Sequence, residues 1–88
     1  MFEIIIAEEF KKRFDLLPKQ VKKKFFKKIK IFTENPFSPI LSTEKLGPPF
    51  EEIWSFRIDK VYRVIFKFIN KNKILLITCG HHNWIYRK

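Results

Sequence analysis

Cysteine, glycine and acidic residues are all scarce in this chain, and each scarcity closes off a class of explanation. A single cysteine, Cys79, excludes an internal disulfide. It lies in an apolar alternating stretch, where a thiol is expected to fill the core rather than act as a nucleophile. The only glycines are Gly47 and Gly80, so no glycine-rich loop is available to cradle a phosphate. Cys79, His81 and His82 lie close together, but adjacent strand residues point to opposite faces and no second Cys or His cluster stands at ligand spacing. Neither a metal site nor a small-molecule cofactor is therefore expected. No apolar run near the N-terminus has the length of a signal peptide or membrane span, which makes a cytoplasmic protein with no membrane partner the expectation.

The shortage of acids sets the charge. Nine Asp and Glu stand against nineteen Lys and Arg, for a formal net charge of +10 on 88 residues. So strong a field calls for a polyanionic partner, either nucleic acid or an acidic protein that shields the charge. A lysine-rich solvated surface is the plainer reading. Hydrophobic residues make up 45% of the chain, eleven of them Phe, enough to pack the interior of one domain spanning residues 1–88.

Phe2 to Ala7 is a short β-branched run that predicts an opening strand covered by other elements. Phe10, Phe14 and Leu17 then recur at helical spacing, with Pro18 as a stop and as a residue suited to the first turn of the next helix. Val21, Phe25, Ile29 and Phe32 line one face of that second helix, and lysines fill much of the rest until Asn35-Pro36. Residues 33–50 show no periodicity, and part of so long a connection should pack on the body. From Glu52 the pattern alternates through two turn signals, Asp59-Lys60 and Asn70-Lys71-Asn72, which predicts a three-stranded antiparallel meander. The expected class is α+β, in the order β-α-α-β-β-β, with both helices on one face of a small, mainly antiparallel sheet.

Strand parity assigns the faces. A three-residue loop pairing Ile58 with Tyr62 sets Arg57 opposite Arg63, and a two-residue turn at Lys71-Asn72 pairs Phe68 with Leu75, Phe66 with Ile77 and Val64 with Cys79. Trp54, Phe56, Val64, Phe66, Leu75 and Ile77 then share the helix-covered side. Gly80 falls beside Arg63, His82 turns to the arginine side, and His81 points with the core set. Arg57, Arg63, His82 and Tyr86 are the groups that metal-free phosphodiester cleavage requires. Guanidinium forks hold the phosphate, an imidazole exchanges protons near neutral pH, and a tyrosine stacks on a base or orients the phosphate. Lys67, His81, Arg87 and Lys88 are the candidates for holding RNA around them. Arg63 and His82 are expected to face solvent and contribute little to stability. The same residues also have a plainer reading, as ordinary side chains on an exposed sheet face.

Three segments, "KLGPPFEEIWSFRI", "VYRVIFKF" and "TCGHHNWIY", taken in order across nearly the whole chain, resemble the RelE/ParE superfamily of bacterial and archaeal toxin–antitoxin toxins. The resemblance implies a ribonuclease that, in many members, enters the ribosome and cuts mRNA without a metal, and that an acidic cognate antitoxin silences. It matches Arg63 to the family's strand arginine, His82 to its catalytic Arg or His two positions after a glycine, and Tyr86 to its terminal aromatic. One departure stands out. The two lysines of RelE's second strand fall here near Ile53 and Ser55, leaving Glu52 or Arg57 as substitutes. The ParE branch shares the fold, inhibits DNA gyrase and lacks the full nuclease set. A gyrase-inhibiting toxin and a non-catalytic basic nucleic-acid-binding domain thus remain as alternatives.

Overall fold

The computed structural model describes residues 1–49 and 52–85, the last two of these, Trp84 and Ile85, through their backbone alone. The elements run β1 (Glu3–Ile6), α1 (Glu8–Asp15), α2 (Lys19–Glu34), a 3₁₀ turn (Pro39–Leu41), β2 (Glu44–Lys45), β3 (Trp54–Arg57), β4 (Tyr62–Phe68), β5 (Lys73–His81) and α3 (His82–Ile85). The strands form one sheet in the order β1-β5-β4-β3-β2. It is antiparallel except for β1, which lies parallel to β5. The expected order of elements holds, and β2 and α3 are additions to it.

The helices form where the apolar spacing places them. In α1 the acids Glu8 and Glu9 occupy the first turn, where they favour the helix dipole, and Phe10 is buried. Leu16 closes that helix, and Pro18 stands just outside α2 as its N-cap, its carbonyl accepting from the N–H groups of Val21 and Lys22. Val21, Phe25 and Phe32 turn inward from α2. Phe32 is the keystone: it is fully buried, and its ring stacks on Phe56 at 4.5 Å and meets Phe66 edge-on at 4.8 Å. Those rings lie on one sheet face with Val64, Ile74, Leu76 and Cys79, and together with the helix residues they make the core. The long connection packs down as expected, with Leu41 fully buried and β2 paired to Trp54 and Ser55.

The first hairpin has the expected geometry. Ile58 N–H donates to the Tyr62 carbonyl at 2.9 Å, and Arg57 stands opposite Arg63. The Asp59 carboxylate fixes this turn, accepting from the N–H groups of both Val61 and Tyr62 at 2.8 Å. Burial raises the Asp59 pKa, but those two backbone donors and Lys24 outweigh it and hold the carboxyl below its ordinary value.

The second hairpin departs from the expected pairing. Its loop has three residues, Asn70 to Asn72, because Ile69 N–H donates to the Lys73 carbonyl and Asn70 Oδ1 accepts from Asn72 N–H. Phe68 therefore pairs with Ile74 and Phe66 with Leu76, rather than with Leu75 and Ile77. Ile74 and Leu76 enter the core, fully buried, while Leu75 and Ile77 are only partly covered. A β-bulge between these pairs and Ile65↔Thr78 absorbs the extra residue, so Val64 still meets Cys79 and Arg63 still meets Gly80. The one-residue error in the turn and the omitted bulge cancel by the time the chain reaches the arginine. The opening strand also differs from expectation. It is an edge strand with Ile6 exposed, because among the described residues it pairs only with β5.

Candidate active site

Two cross-strand rows build the centre of the sheet face opposite the helices. Ser55, Ile65 and Thr78 align across β3, β4 and β5, and Arg57, Arg63 and Gly80 align next to them. Directly opposed residues share a face, and residues 63 and 65 share one by alternation. Among the described residues the buried polar ones, Ser55, Arg63 and Thr78, thus all belong to this one face. Thr78 is not among the residues that the sequence marks as functional. The signal was present, since it lies two residues before Gly80 and so shares its face, but nothing in a lone threonine within an apolar strand marks it as functional.

Arg63 is only 6% exposed, which corrects the expectation that it faces solvent. Its Nε and Nη1 atoms are buried and have no hydrogen-bond partner among the described residues, and neither has Thr78 Oγ1. An unpaired buried donor costs roughly 1–3 kcal/mol, more when charged. A second arginine, Arg57, is paired directly with it across the strands. Like charges in that position destabilise a sheet. Arg57 is itself exposed, because β2 covers only the Trp54 and Ser55 part of the β3 edge. One ligand chemistry relieves both the unpaired donors and the juxtaposed charges, namely an oxyanion that accepts from guanidinium groups.

His82 is anchored close by, through its backbone. Strand β5 ends at His81, and the His82 N–H donates at 2.7 Å to the carbonyl of Val61, two residues before Arg63. Parity therefore stops one residue short of it, and the side chain projects from the first residue of α3, half-buried, with Nδ1 3.4 Å from Asn83 Oδ1. The α3 turn lies beside both β4 and β5. His81 does something different. It stands opposite Tyr62, with the rings edge-on at 5.8 Å, and its Nδ1 accepts from Asn83 N–H at 3.1 Å, which caps the first turn of α3. It shares the core side by register yet is exposed, because the pair lies at the end of the sheet.

Tyr86, Arg87 and Lys88 lie outside the described residues. Lys67 shares the Arg63 face four residues along β4, roughly 13 Å away at the rise of a strand. It lines a hollow of about 450 Å³ with Glu52, Trp54 and Lys45, whose ammonium sits 5.9 Å from the Trp54 ring centre. Glu52 therefore lies near Lys67, and Arg57 lies beside Arg63. Cys79 is fully buried, and burial pushes its thiol up to about 12 against the opposing charge of Arg13. It is a core side chain, held protonated. Among the described residues no three His, Cys, Asp or Glu side chains gather as metal ligands would, and no helix is long and apolar enough to cross a membrane.

No protein-family model matches this sequence, and no curated protein does. Solved structures do match its fold. YafQ from E. coli strain BL21(DE3) superposes with a TM-score of 0.80 at 13% identity, over 98% of this chain and 99% of its own. A YoeB/ParE toxin from Agrobacterium tumefaciens gives 0.78 at 16% identity, over 92% and 99%. A RelB-RelE antitoxin-toxin complex from Methanococcus jannaschii gives 0.75 at 18% identity, over 94% and 95%. The chain has the fold of these toxins over most of its length.

Proposed function

We propose that this protein is the toxin of a toxin–antitoxin pair and an endoribonuclease that cuts mRNA on the ribosome. One observation carries the reading: a buried guanidinium, Arg63, with donors unpaired among the described residues, set opposite Arg57 on the sheet face that His82 adjoins. Fold likeness to toxins, one of them solved with its antitoxin, supports the toxin part and points to an acidic antitoxin as the partner that silences the +10 surface.

In this reading the ribose 2′-oxygen attacks phosphorus while the bond to the 5′-oxygen breaks, leaving a 2′,3′-cyclic phosphate and a 5′-hydroxyl. Negative charge grows on the non-bridging oxygens. Arg63, already desolvated, interacts with them more strongly than a hydrated cation can. Arg57 adds a second fork from the solvent side. His82 exchanges a proton with one of the two ribose oxygens, and Tyr86 positions the nucleotide. Lys67, His81, Arg87 and Lys88 hold the flanking RNA. The two guanidinium groups supply the positive charge that a metal would otherwise bring.

The test is to add purified protein to translating ribosomes, map new mRNA ends, and follow gyrase supercoiling in parallel. Cleavage with unaffected gyrase is expected. Intact mRNA with inhibited gyrase overturns the nuclease and selects the gyrase-blocking toxin; intact mRNA with unaffected gyrase overturns both.

A further inference from the structure

A groove of about 400 Å³ runs between α2, the 3₁₀ turn and the β3–β4 hairpin, and it is lined by Lys24, Lys27, Lys28, Lys60 and Arg57. Asp59 is the single carboxylate among its described lining residues. That carboxylate is already committed, to the Val61 and Tyr62 N–H groups and to Lys24 at 3.5 Å. Lys28 is held at the rim, donating to the Ile40 carbonyl at 3.1 Å. Gathering cations around a concavity with so little compensation raises the local potential and prepares the site for a polyanion. Arg57 links the groove to the candidate active site, since it lines the one and is the cross-strand partner of Arg63 in the other. The open β3 edge beyond β2 lets it serve both.

We propose that this groove is the track for the sugar-phosphate backbone of the substrate RNA, carrying the strand from the Arg57–Arg63 centre round the sheet edge and along the lysine face of α2. The inference rests on the ribonuclease reading and extends it, because it makes the α2 lysines part of substrate binding. Continuity through Arg57 favours the RNA strand over an acidic protein segment, which would need no connection to Arg63.

Lys27 and Lys60 are exposed and lie outside the proposed catalytic set, so Lys27→Gln/Lys60→Gln removes two groove cations without disturbing the packed interior. The probes are 2′-O-methyl RNA oligonucleotides of mixed sequence, one short enough to fill only the sheet face and one about ten nucleotides longer. Binding is read by fluorescence anisotropy across a salt series. For the long probe, the slope of log K against log salt should flatten by about 1.4 in the double variant, from roughly 0.7 per lost phosphate contact on a single strand. Its affinity at low salt should fall about tenfold or more, while the short probe is little affected. An unchanged slope, or equal slopes for long and short probes in the unaltered protein, overturns the track. Ribosomal mRNA cleavage is measured alongside. Cleavage with an unchanged slope, or with no probe binding, sinks the groove alone. A flattened slope without cleavage keeps the groove and sinks the nuclease. Loss of binding to an acidic peptide in place of RNA assigns the groove to a protein partner and overturns the proposal.

Discussion

Replacing Arg63 by methionine should make the protein more stable and less active. The side chain is 6% exposed, and its Nε and Nη1 donors lack partners among the described residues. Each unpaired buried donor costs roughly 1–3 kcal/mol. Exchanging a buried ionic group for an apolar one of similar volume is often stabilising by about 1–4 kcal/mol. Methionine keeps the packed stem and removes both the charge and the opposition to Arg57. A gain of about 2 kcal/mol is expected, which for a domain of this size raises Tm by roughly 8–16 °C. Urea and thermal melts followed by circular dichroism read it. Cleavage of mRNA should fall roughly 10²- to 10³-fold in the same variant, as when an oxyanion donor is lost. A residue that weakens the fold and drives the reaction is what a functional site looks like energetically. If Arg63→Met instead lowers stability by 1 kcal/mol or more, the guanidinium is satisfied in the native state and belongs to the fold, and the reasoning from its orphaned donors fails.

Removing the His82 imidazole as His82→Ala should slow cleavage roughly 10²- to 10⁴-fold. Unfolding should hardly change, because the anchor to Val61 is a backbone bond; a matching loss of Tm would mark the ring as structural. Phe32→Ala opens a hole where three rings meet and should cost about 3–5 kcal/mol in urea denaturation, with a loss under 1 kcal/mol contradicting the packing. The Asp59 carboxyl has a lowered pKa in the folded state, so the stability it contributes is full above its ordinary value near 3.8 and disappears as pH falls through the lower folded value. Asp59→Asn should therefore flatten the acid limb of the stability profile below about pH 4. An unaltered limb would show that the turn does not depend on that charge.

Both helices were legible because their apolar spacing is decided locally, by residues such as Phe10, Val21, Phe25 and Phe32 that must face one way. The Arg57–Arg63 pair was legible for a similar reason, since parity and a three-residue loop fix it, whereas Gly80 falls beside Arg63 only because the longer second loop and the bulge offset each other. The bulge at Ile77 was not, because a β-branched apolar residue suits either a regular or a bulged position, and compensation between loop and bulge is a property of the whole hairpin. The burial of Arg63 was also invisible. A long cation in an alternating strand looks the same whether it reaches solvent or is covered, and only the packed face reveals its donors as unpaired. Nor does a linear reading show that Arg57 and the α2 lysines share a groove, since Lys24 and Asp59, thirty-five residues apart, are brought together only by the folded hairpin.

Whether Arg63 and His82 drive phosphodiester cleavage is read from the chemistry of the ends left on mRNA cut in the presence of translating ribosomes. Attack by the ribose 2′-hydroxyl under Arg63 and His82 leaves a 2′,3′-cyclic phosphate on the upstream fragment and a 5′-hydroxyl on the downstream one, and both should disappear with Arg63→Met while the protein stays folded. A 3′-hydroxyl paired with a 5′-phosphate, or no new ends at all, would contradict it.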